Sequence, residues 1–198
     1  MLRNSRINIS LMLSRMRLKR AISFVKPGRV LDAGCGLGML ADLLPDGCIY
    51  VGTDMSPEAV RALQDRGHRA YECDLQHLFL PEEPFDSIVS LAVIEHLPEP
   101  GEFLTRCHRM LNDDGVLVLT TPTPMGDRVH HLLQVLGIMR SVDEFHVSTM
   151  SPANLRAVIE DAGYSVTHSR RFQLGMNQIA VAEIEHISFP PVVQPCLY

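Results

Sequence analysis

Residues 30–38 read Val-Leu-Asp-Ala-Gly-Cys-Gly-Leu-Gly, a short apolar run that passes directly into three glycines at alternate positions. The apolar run predicts a buried strand, and the glycines predict a sharp turn on which a ligand can lie without Cβ atoms in the way. Dinucleotide sites use the spacing GxGxxG, but here the third glycine comes one residue early. Asp32 precedes the first glycine by two positions, and its carboxylate would repel a pyrophosphate but suit an ammonium group.

Outward from this turn, apolar runs with strand character alternate with helical patterns. Predicted strands cover residues 29–32, 49–53, 69–73, 85–91, 116–120, 165–168 and 179–183. Predicted helices cover residues 39–44, 103–111 and 129–139. Two more helices begin at Ser56-Pro57 and Ser151-Pro152, because serine caps a helix and proline suits its first position. Residues 112–115 predict a turn.

This alternation predicts an α/β, Rossmann-like, doubly wound sheet of seven mostly parallel strands with helices on both faces. The last two strands have no helix between them, so an antiparallel C-terminal hairpin is expected at one edge. Ligands bind such sheets beyond the carboxyl ends of the strands, where the strand order switches. A site is therefore expected at the turns that follow Asp32, Thr53, Cys73 and Leu91.

Charge is distributed unevenly along the chain. The formal net charge is −5, yet residues 1–31 hold eight basic residues and no acidic one. Such a segment predicts a helix that docks on the acidic remainder, a contact with an anionic substrate, membrane surface or nucleic acid, or an organelle transit peptide. Docking is favoured by an apolar stripe at helical spacing, formed by Leu11, Leu18, Ile22 and Val25.

Composition points to one globular domain rather than a fibrous, disordered or membrane-spanning chain. Of the 198 residues, 46% are hydrophobic and 21% are charged, and no apolar stretch approaches the ~18 residues of a membrane span. The five cysteines are scattered and form no CxxC pair, which argues against a disulfide scaffold or a zinc ribbon and favours the cytoplasm. The predicted organisation is a basic N-terminal helix in residues 1–28, a ligand-binding domain in residues 29–186 and an irregular tail in residues 187–198.

Acidic residues also follow the second and third predicted strands. Asp54 lies at the distance from the glycine turn where a carboxylate accepts the hydroxyls of a ribose. Asp74 is placed to accept a hydrogen bond from an adenine amino group, and Met55 and Leu75 would sandwich the adenine ring. Together with Asp32, these residues describe a nucleoside with a cationic amino-acid end and no phosphates, which is the chemistry of S-adenosylmethionine (SAM). A capping or turn role for each aspartate is the alternative.

Five runs follow one another in order along the chain: VLDAGCGLG, VGTDMS, ECDLQ, FDSIVSLAVIEHLPEP and LNDDGVLVLTTPT. With them the chain resembles the class I SAM-dependent methyltransferases over about residues 25–185. Within that class it resembles the group that includes the ubiquinone-biosynthesis O-methyltransferases. The resemblance implies SAM as the cofactor and S-adenosylhomocysteine (SAH) as its product.

The resemblance also implies a role for each matching position. Asp32 would face the methionine ammonium, Asp54 would hold the ribose, and Met55 would pack on the adenine. The adenine edge would be contacted by Asp74 and Leu75. The methionine end would be lined by the backbone of Gly34, Cys35, Gly36, Gly38, Ser90 and Leu91. The Cys35 side chain is expected to be small and buried, because methyl transfer from SAM needs no thiol nucleophile.

Glu95-His96 follows the fourth predicted strand, beside the expected position of the methyl group. Histidine is the usual general base near neutral pH, so His96 is a candidate catalytic base, and a structural hydrogen bond is the alternative. Glu95, directly before it, is a further catalytic candidate. His146 is a second candidate base or substrate contact. Some ubiquinone-pathway relatives carry a further glutamate three residues before the Glu-His pair, and all three bind a divalent metal. Ala92 stands at that position here, so no metal is expected.

The leading hypothesis is an enzyme that moves a methyl group from SAM to a small-molecule acceptor, at a hydroxyl oxygen. A nicotinamide-dependent oxidoreductase is disfavoured by the early third glycine and by Asp32. A nucleic-acid methyltransferase is disfavoured because the chain after residue 31 is acidic. A SAM-binding partner or sensor without transfer activity, and an N-methyltransferase of a small amine, stay open as alternatives. Peripheral membrane contact of the N-terminal helix also stays open, as does the oligomeric state.

Overall fold

The computed structural model describes residues 9–81, 84–135 and 149–185. Its centre is a seven-stranded sheet in the order β3-β2-β1-β4-β5-β7-β6. The strands are β1 (Arg29–Ala33), β2 (Ile49–Asp54), β3 (Arg69–Glu72), β4 (Phe85–Leu91), β5 (Leu111–Pro122), β6 (Tyr164–Phe172) and β7 (Asn177–Ile184). The first five strands are parallel, whereas β7 pairs antiparallel with both β5 and β6. The predicted sheet and its C-terminal hairpin are confirmed.

Five helices accompany the sheet in the described part of the chain. They are α1 (Ile9–Ile22), α2 (Pro57–Asp65), α3 (Pro100–Met110), α4 (Pro124–Val135) and α5 (Pro152–Asp161). The two predicted Ser-Pro helix starts are confirmed, since the Ser56 hydroxyl accepts from the Ala59 amide and the Ser151 hydroxyl from the Asn154 amide, each at 3.2 Å. Each serine thereby satisfies one amide of the first turn, which has no partner within the helix.

The predicted helix over residues 39–44 is wrong. After Gly38 the chain makes turns and a single 3₁₀ segment, Ala41–Leu43, held by bonds from the Ala41 amide to the Gly38 carbonyl and from the Leu43 amide to the Leu40 carbonyl. The segment is too short to repay the cost of starting an α-helix. Pro45 also forces Leu44 into an extended conformation, with ψ at 142°.

The predicted turn at residues 112–115 is also wrong, because these residues lie inside β5. Leu111 pairs with Phe85 and Val116 pairs with Ser87, so β5 has extra residues opposite β4 and bulges between the two pairs. The bulge is anchored by Asn112, whose side-chain amide donates to Asp86 at 2.7 Å. Residues 112–115, which are of types common in turns, form this bulge instead.

Helix α4 begins at Pro124, five residues before its predicted start at residue 129. The amide of Gly126 donates to the Thr123 hydroxyl at 3.1 Å, and the amide of Asp127 donates to the Thr123 carbonyl at 2.9 Å. Thr123 therefore caps the helix, and the apolar pattern alone predicted a start further along the chain. The predicted end of this helix lies outside the described residues.

Two clusters of buried apolar side chains cover the two faces of the sheet. The cluster under α3 and α5 includes Phe103 and Ile159, and the cluster under α1 and α2 includes Leu18 and Leu63. Burial of apolar surface on both faces is typical of a parallel sheet, and it leaves the carboxyl ends of the strands as the place for a site.

Helix α1 lies on the second cluster, where Leu18 and Ala21 are buried. Its start is tied to the turn between β6 and β7, because the side-chain amide of Gln173 donates to the Leu13 carbonyl at 2.8 Å. The helix ends at Ile22, before Val25. Among the helices of the described ranges, none is long and apolar enough to cross a membrane.

Candidate functional site

The three aspartates singled out by the sequence lie at the same edge of the sheet. Asp32 is the second-last residue of β1, Asp54 is the final residue of β2, and Asp74 follows the end of β3 by two residues. Strands β3, β2 and β1 are neighbours, and β1 is flanked on its other side by β4. The strand order therefore switches at β1, and the carboxylates line the crevice where open α/β sheets bind ligands.

The glycine turn after β1 is fastened to the end of β2. The amides of Gly34 and Cys35 both donate to the Thr53 carbonyl at 2.8 Å. Gly34 has φ at +81°, and a Cβ atom there would lie 2.5 Å from Val93 Cγ2. Gly36, with φ at +49°, differs because a Cβ atom there would meet nothing within 4 Å. The turn is thus closely packed at Gly34 and open at Gly36.

Asp54 holds this turn in place through its carboxylate. One oxygen accepts from the Gly36 amide at 2.8 Å, and the other accepts from the Ser56 amide at 2.9 Å. A carboxylate offers about four acceptor sites. Asp54 is half-buried, so it organises the turn and still has acceptor sites for the hydroxyls of a ligand.

Asp32 is buried, with 4% of its surface exposed. Its carboxylate accepts a hydrogen bond from the Tyr50 hydroxyl at 3.0 Å. Burial raises the pKa of Asp32 to about 7, the charge on Asp54 adds to that rise, and the Tyr50 hydrogen bond acts against it. At neutral pH, such a carboxyl group is partly protonated and partly charged, and a nearby cation would favour its charged form.

Cys35 is buried in the glycine turn, as expected. Burial raises the pKa of its thiol to about 12, and the charges on Asp32 and Asp54 add to this rise. A thiol with that pKa stays neutral at physiological pH and is a poor nucleophile. Cys35 therefore contributes small size and backbone to the turn rather than covalent chemistry.

Asp74 caps the 3₁₀ segment Leu75–His77. Its carboxylate accepts from the Gln76 amide at 2.9 Å and lies 3.1 Å from His77 Nδ1. These two hydrogen bonds lower the pKa of Asp74, so the side chain is charged at neutral pH. The capping role is thus present in the structure, and the exposed carboxylate keeps further acceptor sites.

The two apolar side chains expected at an adenine differ in exposure. Met55 is 68% exposed beside Asp54, whereas Leu75 is 4% exposed and belongs to the core under α3 and α5. A large exposed thioether side chain next to a polar site offers an adaptable apolar surface. Because the Leu75 side chain is packed in this core, little of its surface is exposed at the edge of the sheet.

The end of β4 adds the last part of the crevice. Ser90 is buried, and its hydroxyl has no hydrogen-bond partner among the described residues. Leu91 is half-buried, and the next residue, Ala92, has φ at +57°. The Ala92 amide donates to the Thr120 carbonyl at 2.8 Å, which fixes this left-handed turn against β5.

Glu95 and His96 lie in the 3₁₀ segment Ile94–His96, which follows that turn. Glu95 is 1% exposed and accepts from the Thr121 hydroxyl at 2.9 Å, while His96 is half-buried. The second candidate base, His146, lies outside the described residues. Within the described ranges, no three His, Cys, Asp or Glu side chains are gathered in a way that could hold a metal ion.

Two residues of the site were not singled out by the sequence. Tyr50 contacts Asp32, and Thr121 contacts Glu95. The signal for Tyr50 was its position in β2, two residues before Gly52, which puts both residues on one face of the sheet. Since Gly52 pairs with Asp32, that face is also the face of Asp32. Thr121 carried no comparable local signal.

Most of the chain matches a known protein family. A family model described as "Methyltransferase domain" matches residues 10–169. Over 99 residues, the chain is 37% identical to a "Ubiquinone biosynthesis O-methyltransferase" from Bradyrhizobium diazoefficiens, which covers 47% of this chain and 39% of that protein. Over 143 residues, it is 32% identical to a "Probable S-adenosylmethionine-dependent methyltransferase" from Mycolicibacterium smegmatis, which covers 69% of this chain and 52% of that protein. The chain thus spans about half or less of the length of these relatives.

A solved structure with a similar fold is the magnesium protoporphyrin IX methyltransferase of Synechocystis, determined with bound SAM. It superposes with a TM-score of 0.67 at 18% sequence identity and covers 93% of this chain and 86% of its own. At this sequence identity, the likeness shows that the two proteins share a fold.

Proposed function

Since the chain belongs to the family of class I SAM-dependent methyltransferases, we propose that it transfers the methyl group of SAM to a hydroxyl oxygen of a small-molecule acceptor. The observation that carries the proposal is the row of carboxylates Asp32, Asp54 and Asp74 along one sheet edge beside the open turn at Gly36. A ubiquinone-biosynthesis O-methyltransferase among the relatives supports oxygen as the acceptor atom.

The residues at this edge fit the cofactor. Space over Gly36 leaves room for a ligand against the backbone, and Asp54 keeps acceptor sites for ribose hydroxyls. Buried Asp32 suits the ammonium group of the methionine end, because a carboxylate in a low-dielectric site is stabilised by a cation. Met55 offers an exposed apolar face to the adenine, and Asp74 accepts at its amino group.

The remaining contacts that we propose come from backbone. The turn would line the methionine end with Gly34, Cys35, Gly36 and Gly38. Ser90 and Leu91, at the end of β4, would border the sulfonium end, and Leu75 would approach the adenine edge through its backbone because its side chain is in the core.

The chemistry that SAM supplies when bound is an electrophilic methyl carbon on a sulfonium. What the chain itself must do is hold the acceptor oxygen in line with that carbon and exclude water. Positioning of this kind is worth roughly 7–11 kcal/mol in favourable cases. A hydroxyl acceptor must also lose a proton, which calls for a base at the rim of the crevice.

We assign the role of base to His96, with His146 as the alternative. His96 is half-buried at the carboxyl edge, in the segment directly after β4. Glu95 is proposed to anchor that segment, since its carboxylate is buried against Thr121 rather than exposed to a substrate. A cytoplasmic location is proposed from the scattered cysteines, which suit a reducing compartment.

The test is calorimetric titration with SAH, with NAD titrated in parallel. We expect micromolar binding of SAH, none of NAD, and a loss of at least a hundredfold in the Asp54→Ala variant. The matched control is Glu160→Ala, because Glu160 forms an exposed ion pair with Arg156 within α5, near the start of β6 and at the edge of the sheet opposite the crevice. Folded protein that binds no SAH overturns the proposal. Screening of acceptors with methyl-labelled SAM then separates oxygen from nitrogen acceptors, and failure with every acceptor would favour a SAM sensor.

A further inference from the structure

The Tyr50 side chain joins β2 to β1 at the buried carboxylate. Its hydroxyl donates to Asp32 Oδ2 at 3.0 Å, and both residues are at most 9% exposed. Gly52 lies opposite Asp32 in the β1–β2 register. A Cβ atom at Gly52 would be 2.8 Å from the Tyr50 hydroxyl, so the phenol lies across the space that a side chain at Gly52 would fill.

Two further contacts fix the phenol in that position. Cys35 Sγ lies 3.1 Å from the same Cβ position at Gly52, which puts the thiol beside the Tyr50 hydroxyl. On the other side, the ring of His68 meets the ring of Tyr50 edge-on, with 5.3 Å between their centroids. The Tyr50 hydroxyl therefore lies against Cys35 of the glycine turn, and its ring packs against His68, directly before β3.

Asp32 is surrounded by groups that do not neutralise its charge. The groups that act on it in the described part of the chain are the neutral phenol of Tyr50, from β2, and the like charge of Asp54, at the end of β2. Cys35, from the glycine turn, is a neutral thiol. A buried carboxylate without a cation is unstable when charged, so a ligand ammonium is the natural partner.

We propose that Tyr50 is a positioning residue for the amino-acid end of the cofactor. Its hydroxyl favours the charged form of the Asp32 carboxylate and fixes the orientation that an ammonium group requires. This inference rests on the proposed function. Tyr50 itself does not touch the reacting atoms. Its hydroxyl supplies one directional hydrogen bond to Oδ2 and leaves the remaining acceptor sites of Asp32 for the ligand.

The expected effect of losing this hydroxyl depends on pH. The Tyr50 hydrogen bond lowers the pKa of Asp32, against burial and the Asp54 charge, which raise it. Without the hydroxyl, the pKa of Asp32 moves further up and more of the carboxyl is protonated at pH 7. Affinity for an ammonium ligand should then fall at neutral pH and return as the pH rises.

The experiment compares Tyr50→Phe with Tyr164→Phe. Tyr164 is a buried tyrosine far from the crevice whose hydroxyl donates to the Leu104 carbonyl at 3.2 Å, so its variant loses a comparable hydrogen bond. Both are titrated with SAH and with 5′-methylthioadenosine, which keeps the adenosine and lacks the amino acid, between pH 6.5 and 8.5. For Tyr50→Phe we expect SAH to weaken roughly tenfold at pH 7 and to approach wild type at the highest pH. Methylthioadenosine should bind unchanged to both variants.

A second pair of variants keeps the test decisive. Asp32→Asn should weaken SAH at every pH, and adding Tyr50→Phe to it should cause no further loss, since the two residues act through one carboxylate. Equal SAH affinity of Tyr50→Phe and wild type overturns the inference alone. So does an equal loss of both ligands at every pH, which is the result expected of a purely structural role. A wild-type chain that binds neither ligand overturns the proposed function and this inference with it.

Discussion

The Thr121 hydroxyl donates a hydrogen bond to Glu95 Oε2 at 2.9 Å, and both side chains are at most 1% exposed. This contact ties the segment after β4 to the end of β5, where the crevice closes. Removing one partner of a buried hydrogen bond leaves the other partner unsatisfied. We therefore expect Glu95→Ala to lower the free energy of unfolding by about 1–3 kcal/mol in urea titrations.

Glu95→Gln is the matched control for that prediction. The glutamine keeps the shape and one acceptor oxygen for Thr121, so most of the stability should remain. A double-mutant cycle with Thr121→Val measures the coupling between the two residues. Additive losses would show that the hydrogen bond contributes nothing of its own.

Alanine substitutions at two glycines of the turn should affect different properties, stability in one case and SAH affinity in the other. A Cβ atom at Gly38 would lie 2.2 Å from Leu63 Cδ2, with φ at +68°, so Gly38→Ala should cost about 2–4 kcal/mol of stability. Gly36 has open space instead, so Gly36→Ala should cost about 1 kcal/mol or slightly more but weaken SAH at least tenfold. Thermal melts and SAH titrations separate the two effects.

Gly47→Ala is the control for backbone strain in that experiment. Gly47 also has a positive φ, +89°, and open space around it, but it lies in the turn before β2, at the opposite edge of the sheet. Its variant should lose a similar amount of stability and no SAH affinity. If Gly36→Ala behaves in the same way, the space over Gly36 is not a ligand site.

The stability of the free protein should carry a pH dependence from Asp32. Its pKa is raised from 3.8 to about 7 in the folded state, first by burial. Between about pH 4 and 7 the unfolded chain releases this proton while the folded chain keeps it, so the contribution of Asp32 to stability is greatest below pH 4 and is lost as the pH rises to 7. A shift of about three units corresponds to on the order of 4 kcal/mol.

That contribution is isolated by subtracting the unfolding free energy of Asp32→Asn from that of the wild type at each pH. The difference should decline up to about pH 7 and then level off. A flat difference across this window contradicts the raised pKa. Saturating SAH should also remove the decline in the wild type, because an ammonium partner favours the charged carboxylate.

Loss of the proposed base should affect turnover without affecting cofactor binding. Once an acceptor is found, His96→Asn should lower kcat by roughly a hundredfold or more while the Kd of SAH changes less than twofold. The control is His131→Asn, because His131 is an exposed residue of α4. Unchanged kcat in the His96 variant would shift the assignment to His146.

Much of the fold was predictable because its signals are local or continuous. Residues 116–119 of β5 are buried in the centre of the sheet, so they form an uninterrupted apolar run in the sequence. The starts of α2 and α5 follow from Ser-Pro pairs, whose capping geometry needs only neighbouring residues. The row of aspartates was predictable for a related reason, since parallel strands bring their carboxyl ends to one edge.

What escaped prediction depends on contacts between distant residues. The segment after Gly38 has helical residues but not the length to form a helix before Pro45. The Asp32–Tyr50 bond depends on the register of β1 against β2, which a single sequence does not display. Glu95 is predicted from the sequence as a catalytic candidate, and its hydrogen bond with Thr121, 26 residues further along the chain, carries no local signal.

The bond between Gln173 and the Leu13 carbonyl spans 160 residues of chain. During synthesis, α1 leaves the ribosome before the hairpin turn that holds its start. At ~5–20 residues per second the delay is about 8–30 s. For that interval the start of α1 lacks the Gln173 hydrogen bond, and the apolar cluster that buries Leu18 is completed only when Ile179 and Val181 of β7 have been translated.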